Sequence, residues 1–220
     1  MFDLTLSFDN GPEPDVTPLV LDVLARRGIK TTFFVIGEKL ADPRRLWLAE
    51  RAHDEGHWLG NHTYTHSVPL GRLPGDDVSE REIEKTQQLL GGLSHPRRWF
   101  RPFGGGGNLD DGLLRPHVVN HLMAGRYSCV LWSAIPRDWE DPDGWVDRAL
   151  AQCTSQARTL MVLHDLPTGA MFHLDRFLDR AGAAGVRFNQ EFPPDCVPIR
   201  SGEIVLPIDS YVSNIEESNL

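Results

Sequence analysis

The chain has 220 residues, 40% hydrophobic and 24% charged, which suits one soluble α/β domain able to bury a sizeable core. A net charge of −9 and a pI near 5.4, with no basic stripe, exclude nucleic acid as a natural partner and disfavour a polyanionic substrate. No apolar run is long enough to span a membrane, and no signal-peptide pattern precedes the first strand. Together with the scattered Cys129, Cys153 and Cys196, which read as reduced thiols, this predicts a cytoplasmic location.

The chain opens on a strand in which Leu4, Leu6 and Phe8 alternate with Thr5 and Ser7, ending at the turn signal Asn10-Gly11-Pro12. Thr17-Pro18 reads as a helix N-cap followed by proline at the first helical position, and Gly28 ends that helix. Residues 30–36 (KTTFFVI) form a second strand, 43–55 a helix and 57–61 a short third strand. Ser79-Glu80-Arg81-Glu82 matches a capping box opening a helix through Leu90. A fourth strand spans 98–101, and the run Gly104–Gly107 reads as a flexible rim loop. A phosphate loop is disfavoured there because the Gly-Lys-Ser/Thr ending is missing. A weaker helix spans 110–122, with Pro116 as an obstacle inside it.

Strand five covers 127–132, a helix follows Pro142, and strand six covers 159–164. A helix over 172–184 and a seventh strand over 186–192 follow. The remainder is proline-rich, with a polar tail after Ile215 expected to fray. Seven strands alternating with helices imply a parallel sheet in a single domain over 1–220, with 193–220 as a C-terminal extension.

The unusual polar residues fall at the same ends of these strands. Asp9 and Asn10 follow strand one, His62 and His66 strand three, Arg101 ends strand four, Asp138 follows strand five and His164 ends strand six. In a barrel that rim is where catalytic groups collect. His62 and His66, four residues apart, can aim two imidazoles at one ion such as Zn²⁺. His53 and His57 share that spacing but are separated by a helix end and a glycine. Taken singly, each of these residues is more often structural; their joint placement on one rim favours a site.

Five segments, in order, resemble the motifs of the polysaccharide deacetylase family, also called the NodB-homology domain or carbohydrate esterase family 4. They are Ser-Phe-Asp-Asn-Gly-Pro at 7–12, Gly-Asn-His-Thr-Tyr-Thr-His at 60–66, Phe-Arg-Pro-Phe-Gly at 100–104, Arg-Asp-Trp at 137–139 and Leu-His-Asp at 163–165. The resemblance implies a distorted (β/α)₇ barrel. It implies that Asp9 is the catalytic base, Arg101 its partner, His164 the general acid tuned by Asp138, and Asn10, His62 and His66 the metal ligands. A backbone N–H near Phe103 would help hold an oxyanion. Phe103, Trp132 and Trp139 could supply a flat surface for a ring, with Trp132, which follows a strand, reading more readily as core.

Three departures from the family pattern stand out. Asn10 occupies the place of a metal-binding Asp, the arginine motif is shortened and runs into four glycines, and Ile135 replaces the first Asp of Asp-x-x-Asp-Trp. The expected activity is hydrolysis of a non-peptide C–N bond in an N-acetylated sugar, oligosaccharide or small amide. The expected cofactor is a divalent transition metal, Zn²⁺ first and Co²⁺, Ni²⁺ or Mn²⁺ next, with a metal-free state left open by Asn10. Two alternatives stand beside it: a metal-independent, allantoinase-like or cyclic-amide hydrolase, and a carbohydrate-binding protein without catalysis.

Overall fold

Strand β1 (Phe2–Asp9) is central to the sheet because both of its faces are buried. The computed structural model describes residues 2–213. Leu4, Leu6 and Phe8 pack into the main core, while Thr5 and Ser7, also buried, donate to the carbonyls of Glu191 and Met161. The alternation seen in the sequence therefore separates a helix-facing side from a polar interior, rather than core from solvent.

Parallel strands β2 (Thr32–Val35), β3 (Trp58–Asn61), β4 (Trp99–Phe100) and β5 (Ser128–Cys129) follow β1 across the sheet. On the other edge of β1 lies β6 (Arg158–His164), paired from Asp3↔Arg158 to Asp9↔His164. The first half of the β2 edge of β1 pairs instead with β7 (Val186–Asn189), and only Ser7–Asp9 pair with β2. An isolated parallel bridge, Ala134↔Met161, brings the segment after β5 onto β6 and closes the distorted barrel. All seven predicted strands occur, but β4 and β5 contract to two residues each because their ends turn into the rim loops. The stretch beyond residue 193 adds β8 (Ile199–Arg200), antiparallel to β5, and β9 (Glu203–Ile204). The polar tail expected after Ile215 lies outside the described residues.

Helices α1 (Thr17–Arg27), α2 (Pro43–Asp54), α3 (Lys85–Leu90), α4 (Pro116–Ala124), α5 (Trp145–Thr154) and α6 (Leu174–Ala183) cover the outside. Gly28 closes α1 in the left-handed conformation (φ 62°), as its position predicts. Three expectations are corrected. Thr17 is not the cap: Val16 holds that position, and the Thr17 hydroxyl turns inward to donate to Asp165. Pro116 does not interrupt a helix but starts α4 at its first turn, where its missing N–H costs nothing. Ser79 is already helical and caps nothing; a π-helical turn at Glu80–Glu84 leads into α3 and frees Glu82 for another partner.

Candidate active site

The strand register assembles the site. Asp9 and His164 are direct neighbours across β1 and β6. Val35↔Asn61 and Asn61↔Phe100 align β2, β3 and β4, so His62 and Arg101 each lie one residue past aligned strand ends. Asp9, Asn10, His62, His66, Phe103, Trp132, Trp139 and His164 line one cleft of about 290 Å³. Arg101 and Asp138, both fully buried, stand behind it. Every residue that the sequence singled out is thus either in the cleft or in contact with a residue that is.

Arg101 Nη1 donates to Asp9 Oδ1 and to Ser7 Oγ, both at 2.7 Å. Its remaining donors reach the carbonyls of Val130 (3.2 Å) and Leu131 (3.4 Å), and its plane lies 4.0 Å from the Phe34 ring centre. These contacts occupy the guanidinium without the carboxylate that Ile135 replaces. Ile135 instead lines the cleft. Burial lowers the Arg101 pKa against the opposing pull of Asp9.

His164 is held twice by one carboxylate. Its backbone N–H donates to Asp138 Oδ2 and its ring Nδ1–H to Asp138 Oδ1, both at 2.9 Å. Nδ1 is thereby engaged and Nε2 is left for the cleft, where the Trp139 ring meets the imidazole edge-on at 4.7 Å. Burial pulls the His164 pKa down, but the hydrogen bond and charge of Asp138, helped by Asp9 and Asp165, outweigh it and the net shift is upward.

His62 Nδ1 lies 2.8 Å from the Arg101 carbonyl, which can only accept, so Nδ1 carries the proton. The lone pair of Nε2 then faces Asp9 Oδ2 at 3.5 Å. Burial holds His62 neutral, with its pKa pushed down to about 3. A lone pair aimed at a carboxylate oxygen is an arrangement that suits a shared cation. The His66 ring packs tilted against Phe103, centre to centre at 3.9 Å, and its centre lies 4.8 Å from that of His62. Desolvation first, and His62 second, push its pKa down to about 2.

Asn10 and His66 both adopt left-handed backbone conformations (φ 74° and 52°), an uncommon choice for side-chain-bearing residues. Lys39 Nζ donates to the Asn10 carbonyl at 2.6 Å and also pairs with Glu13. Asn10 Oδ1 is buried and has no hydrogen-bond partner. That orphaned oxygen and the two neutral imidazoles fit a divalent metal, although the set carries no charge of its own. Among the described residues no group of three His, Cys, Asp or Glu side chains gathers as a metal cluster, so the amide is the third donor available.

Glu82 is the residue that sequence reasoning assigned to the wrong task. It is 3% exposed and accepts from the N–H groups of Tyr64 (3.0 Å) and Thr65 (2.9 Å) and from the Thr65 hydroxyl (2.9 Å). Gly37 and Glu38 N–H groups satisfy the carbonyls of Thr63 and Tyr64 in the same loop. The turn between His62 and His66 is therefore fixed from both sides. The glycine run also does more than flex. A Cβ on Gly104 would sit 2.6 Å from the Trp132 ring, and one on Gly107 would sit 2.7 Å from Ile135. The loop can lie against this wall only because those side chains are absent.

The sequence model described as "Polysaccharide deacetylase" matches residues 3–113. A chitooligosaccharide deacetylase of Rhizobium leguminosarum bv. phaseoli is 35% identical over 171 residues, covering 74% of this chain and 67% of that protein. Among solved structures, the Bc1960 peptidoglycan N-acetylglucosamine deacetylase superposes with a TM-score of 0.72 at 26% identity, over 90% of this chain and 89% of that one. The wild-type BA3943 protein of Bacillus anthracis, described as a family 4 pseudoenzyme, shares the fold (TM-score 0.70, 20% identity, 85% of this chain). This chain spans 63% of its length. The chain belongs to the polysaccharide deacetylase family, the NodB-homology domain of carbohydrate esterase family 4.

Proposed function

We propose that the protein removes the acetyl group from an N-acetylated amino sugar within a short oligosaccharide. The observation that carries this reading is the pairing of Asp9 and His164 across adjacent strands, each fixed by its own buried partner and both facing one cleft. Asp9, held by Arg101, takes a proton from the attacking water. His164, held by Asp138, gives one from Nε2 to the departing amine nitrogen, which leaves poorly without it. Phe103, Trp132 and Trp139 line the cleft where the sugar ring lies. A divalent ion held by Asn10, His62 and His66 would polarise the acetyl carbonyl and make the water more acidic. With a neutral amide in place of a carboxylate, binding is weaker than a charged set gives, so Zn²⁺ is the first candidate and Co²⁺, Ni²⁺ or Mn²⁺ follow.

The named relatives, a chitooligosaccharide and a peptidoglycan N-acetylglucosamine deacetylase, support this substrate class over a cyclic amide or a non-catalytic ligand. Three buried free thiols, Cys129, Cys153 and Cys196, support a reducing compartment. The test is acetate release from N-acetylglucosamine oligomers by metal-stripped protein supplied in turn with Zn²⁺, Co²⁺, Ni²⁺ and Mn²⁺. Acetate and free amine formed in equal amounts with at least one ion is the expected result. No release with any ion, from protein shown to be folded, overturns the proposal.

A further inference from the structure

We propose that the cleft continues over Leu166 into a second sugar subsite, where the Phe172 ring stacks on the neighbouring ring of the oligosaccharide. This rests on reading the cleft as a carbohydrate deacetylase site. A groove of about 190 Å³ adjoins the cleft, and Leu166 lines both. Its lining includes the buried Met171, 2% exposed, and Val16 and Leu19, which pack on the main core. Phe172 also lines it and is 75% exposed, the most exposed large apolar side chain among the described residues.

That exposure does not come from a loose loop. Phe172 lies on the helical turn Ala170–His173, separated by five residues from the strand that ends in His164. The turn is anchored from below: Trp145 Nε1 donates to the Ala170 carbonyl at 3.0 Å, and Ala170 N–H donates to Thr168 Oγ1. Ala170 and Met171 are buried while Phe172 is turned outward. A rigid segment that holds a large apolar ring in water, beside a cleft, has the form of a binding platform.

The chemistry of the groove favours a pyranose ring. The C–H face of a sugar packs on an aromatic ring, and its hydroxyls need an acceptor at the edge. Asp15 is the polar side chain among the lining residues and is exposed at that edge. A groove of about 190 Å³ suits one ring better than an extended acyl chain. A substrate would then run from the reacting residue in the cleft, across Leu166, to a second residue on Phe172. The protein would prefer oligomers to the monosaccharide for that reason.

The experiment compares N-acetylglucosamine with its β-1,4-linked trimer, using wild-type protein, Phe172→Ala and Phe172→Tyr. The expected result is that Phe172→Ala lowers kcat/KM for the trimer by about 3- to 10-fold, chiefly through KM. The monosaccharide should be unaffected and Phe172→Tyr should retain the wild-type preference. Equal effects on both substrates, or none on either, overturn the subsite. Calorimetric binding of the trimer is measured in parallel on the same proteins, so that it does not depend on turnover. Tighter binding of trimer than monomer, lost in Phe172→Ala, supports the subsite even if no acetate is released and the deacetylase reading fails. Trimer binding that Phe172→Ala leaves unchanged, or an alkyl chain bound in place of sugar, overturns it.

Discussion

Removing the Arg101 guanidinium should destabilise the protein far more than an ordinary ion pair would. Arg101 is fully buried and Asp9 is 3% exposed, so Arg101→Met leaves a buried carboxylate without its hydrogen-bonded cation. His62, 3.5 Å from Asp9, is held neutral by burial and presents a lone pair, and His164 is already committed to Asp138. Ser7 Oγ and the carbonyls of Val130 and Leu131 lose a donor at the same time. Breaking a buried pair in this way costs about 3–5 kcal/mol. For a chain of this size that is a fall in Tm on the order of 10 °C. The measurement is urea denaturation in chelator, so that no added cation substitutes for the guanidinium. The double variant Asp9→Asn/Arg101→Met should recover part of the loss, because no lone charge remains. A loss under about 1 kcal/mol, the range of exposed pairs, would refute the reasoning, as would a double variant no more stable than the single one.

Three further outcomes follow from contacts in and behind the cleft. Asp165 is fully buried, Thr17 donates to its Oδ2, its Oδ1 has no partner, and burial pushes its pKa from 3.8 up to about 7. The folded chain keeps this proton after the unfolded chain has lost it, so stability falls as pH rises from about 4 to about 7 and levels off above that. Asp165→Asn should remove that slope and be more stable than wild type at pH 8, with unchanged relative stability between pH 5 and 8 as the contrary result. Glu82→Ala strips acceptors from Tyr64 and Thr65 N–H and should weaken Zn²⁺ binding by roughly 10- to 100-fold by calorimetry. Unaltered affinity would mean that the loop does not need Glu82. Asp138→Asn removes the group that raises the His164 pKa against burial, so the alkaline limb of the kcat/KM profile should move to lower pH. A limb that stays in place would assign it to another residue.

The rim of the barrel was legible in the sequence because its chemistry sits at strand ends. Asp9, His62, Arg101 and His164 follow apolar runs whose register is set by simple pairing, and each lies at or one residue past the strand end that the sequence pattern indicates. Their supports were less legible. Glu82 looked like part of a capping box because spacing along the chain cannot show a carboxylate reaching a loop 17 and 18 positions away. Thr17 looked like a cap for the same reason, although its hydroxyl bonds Asp165, 148 positions on. Pro116 read as an obstacle because the helix start was set too early; a Pro at the first turn is itself a start signal. The glycine run was recognised as a rim loop, but its close approach to Trp132 and Ile135 depends on partners from a different strand end. Local pattern thus located the strand-end residues that line the cleft or stand behind it, and missed the contacts that only tertiary packing creates.

The division of labour between Asp9 and His164 is tested most directly by changing the leaving group. An amine needs a proton to depart, whereas the phenolate of an activated aryl acetate does not. Rates should be measured on both an N-acetylglucosamine oligomer and 4-nitrophenyl acetate, for wild type, Asp9→Asn and His164→Ala. The account predicts that Asp9→Asn loses about 10²- to 10⁴-fold on both substrates. His164→Ala should lose as much on the amide while keeping most of its rate on the aryl ester. Equal losses on amide and ester in His164→Ala, or full activity in Asp9→Asn, would contradict it.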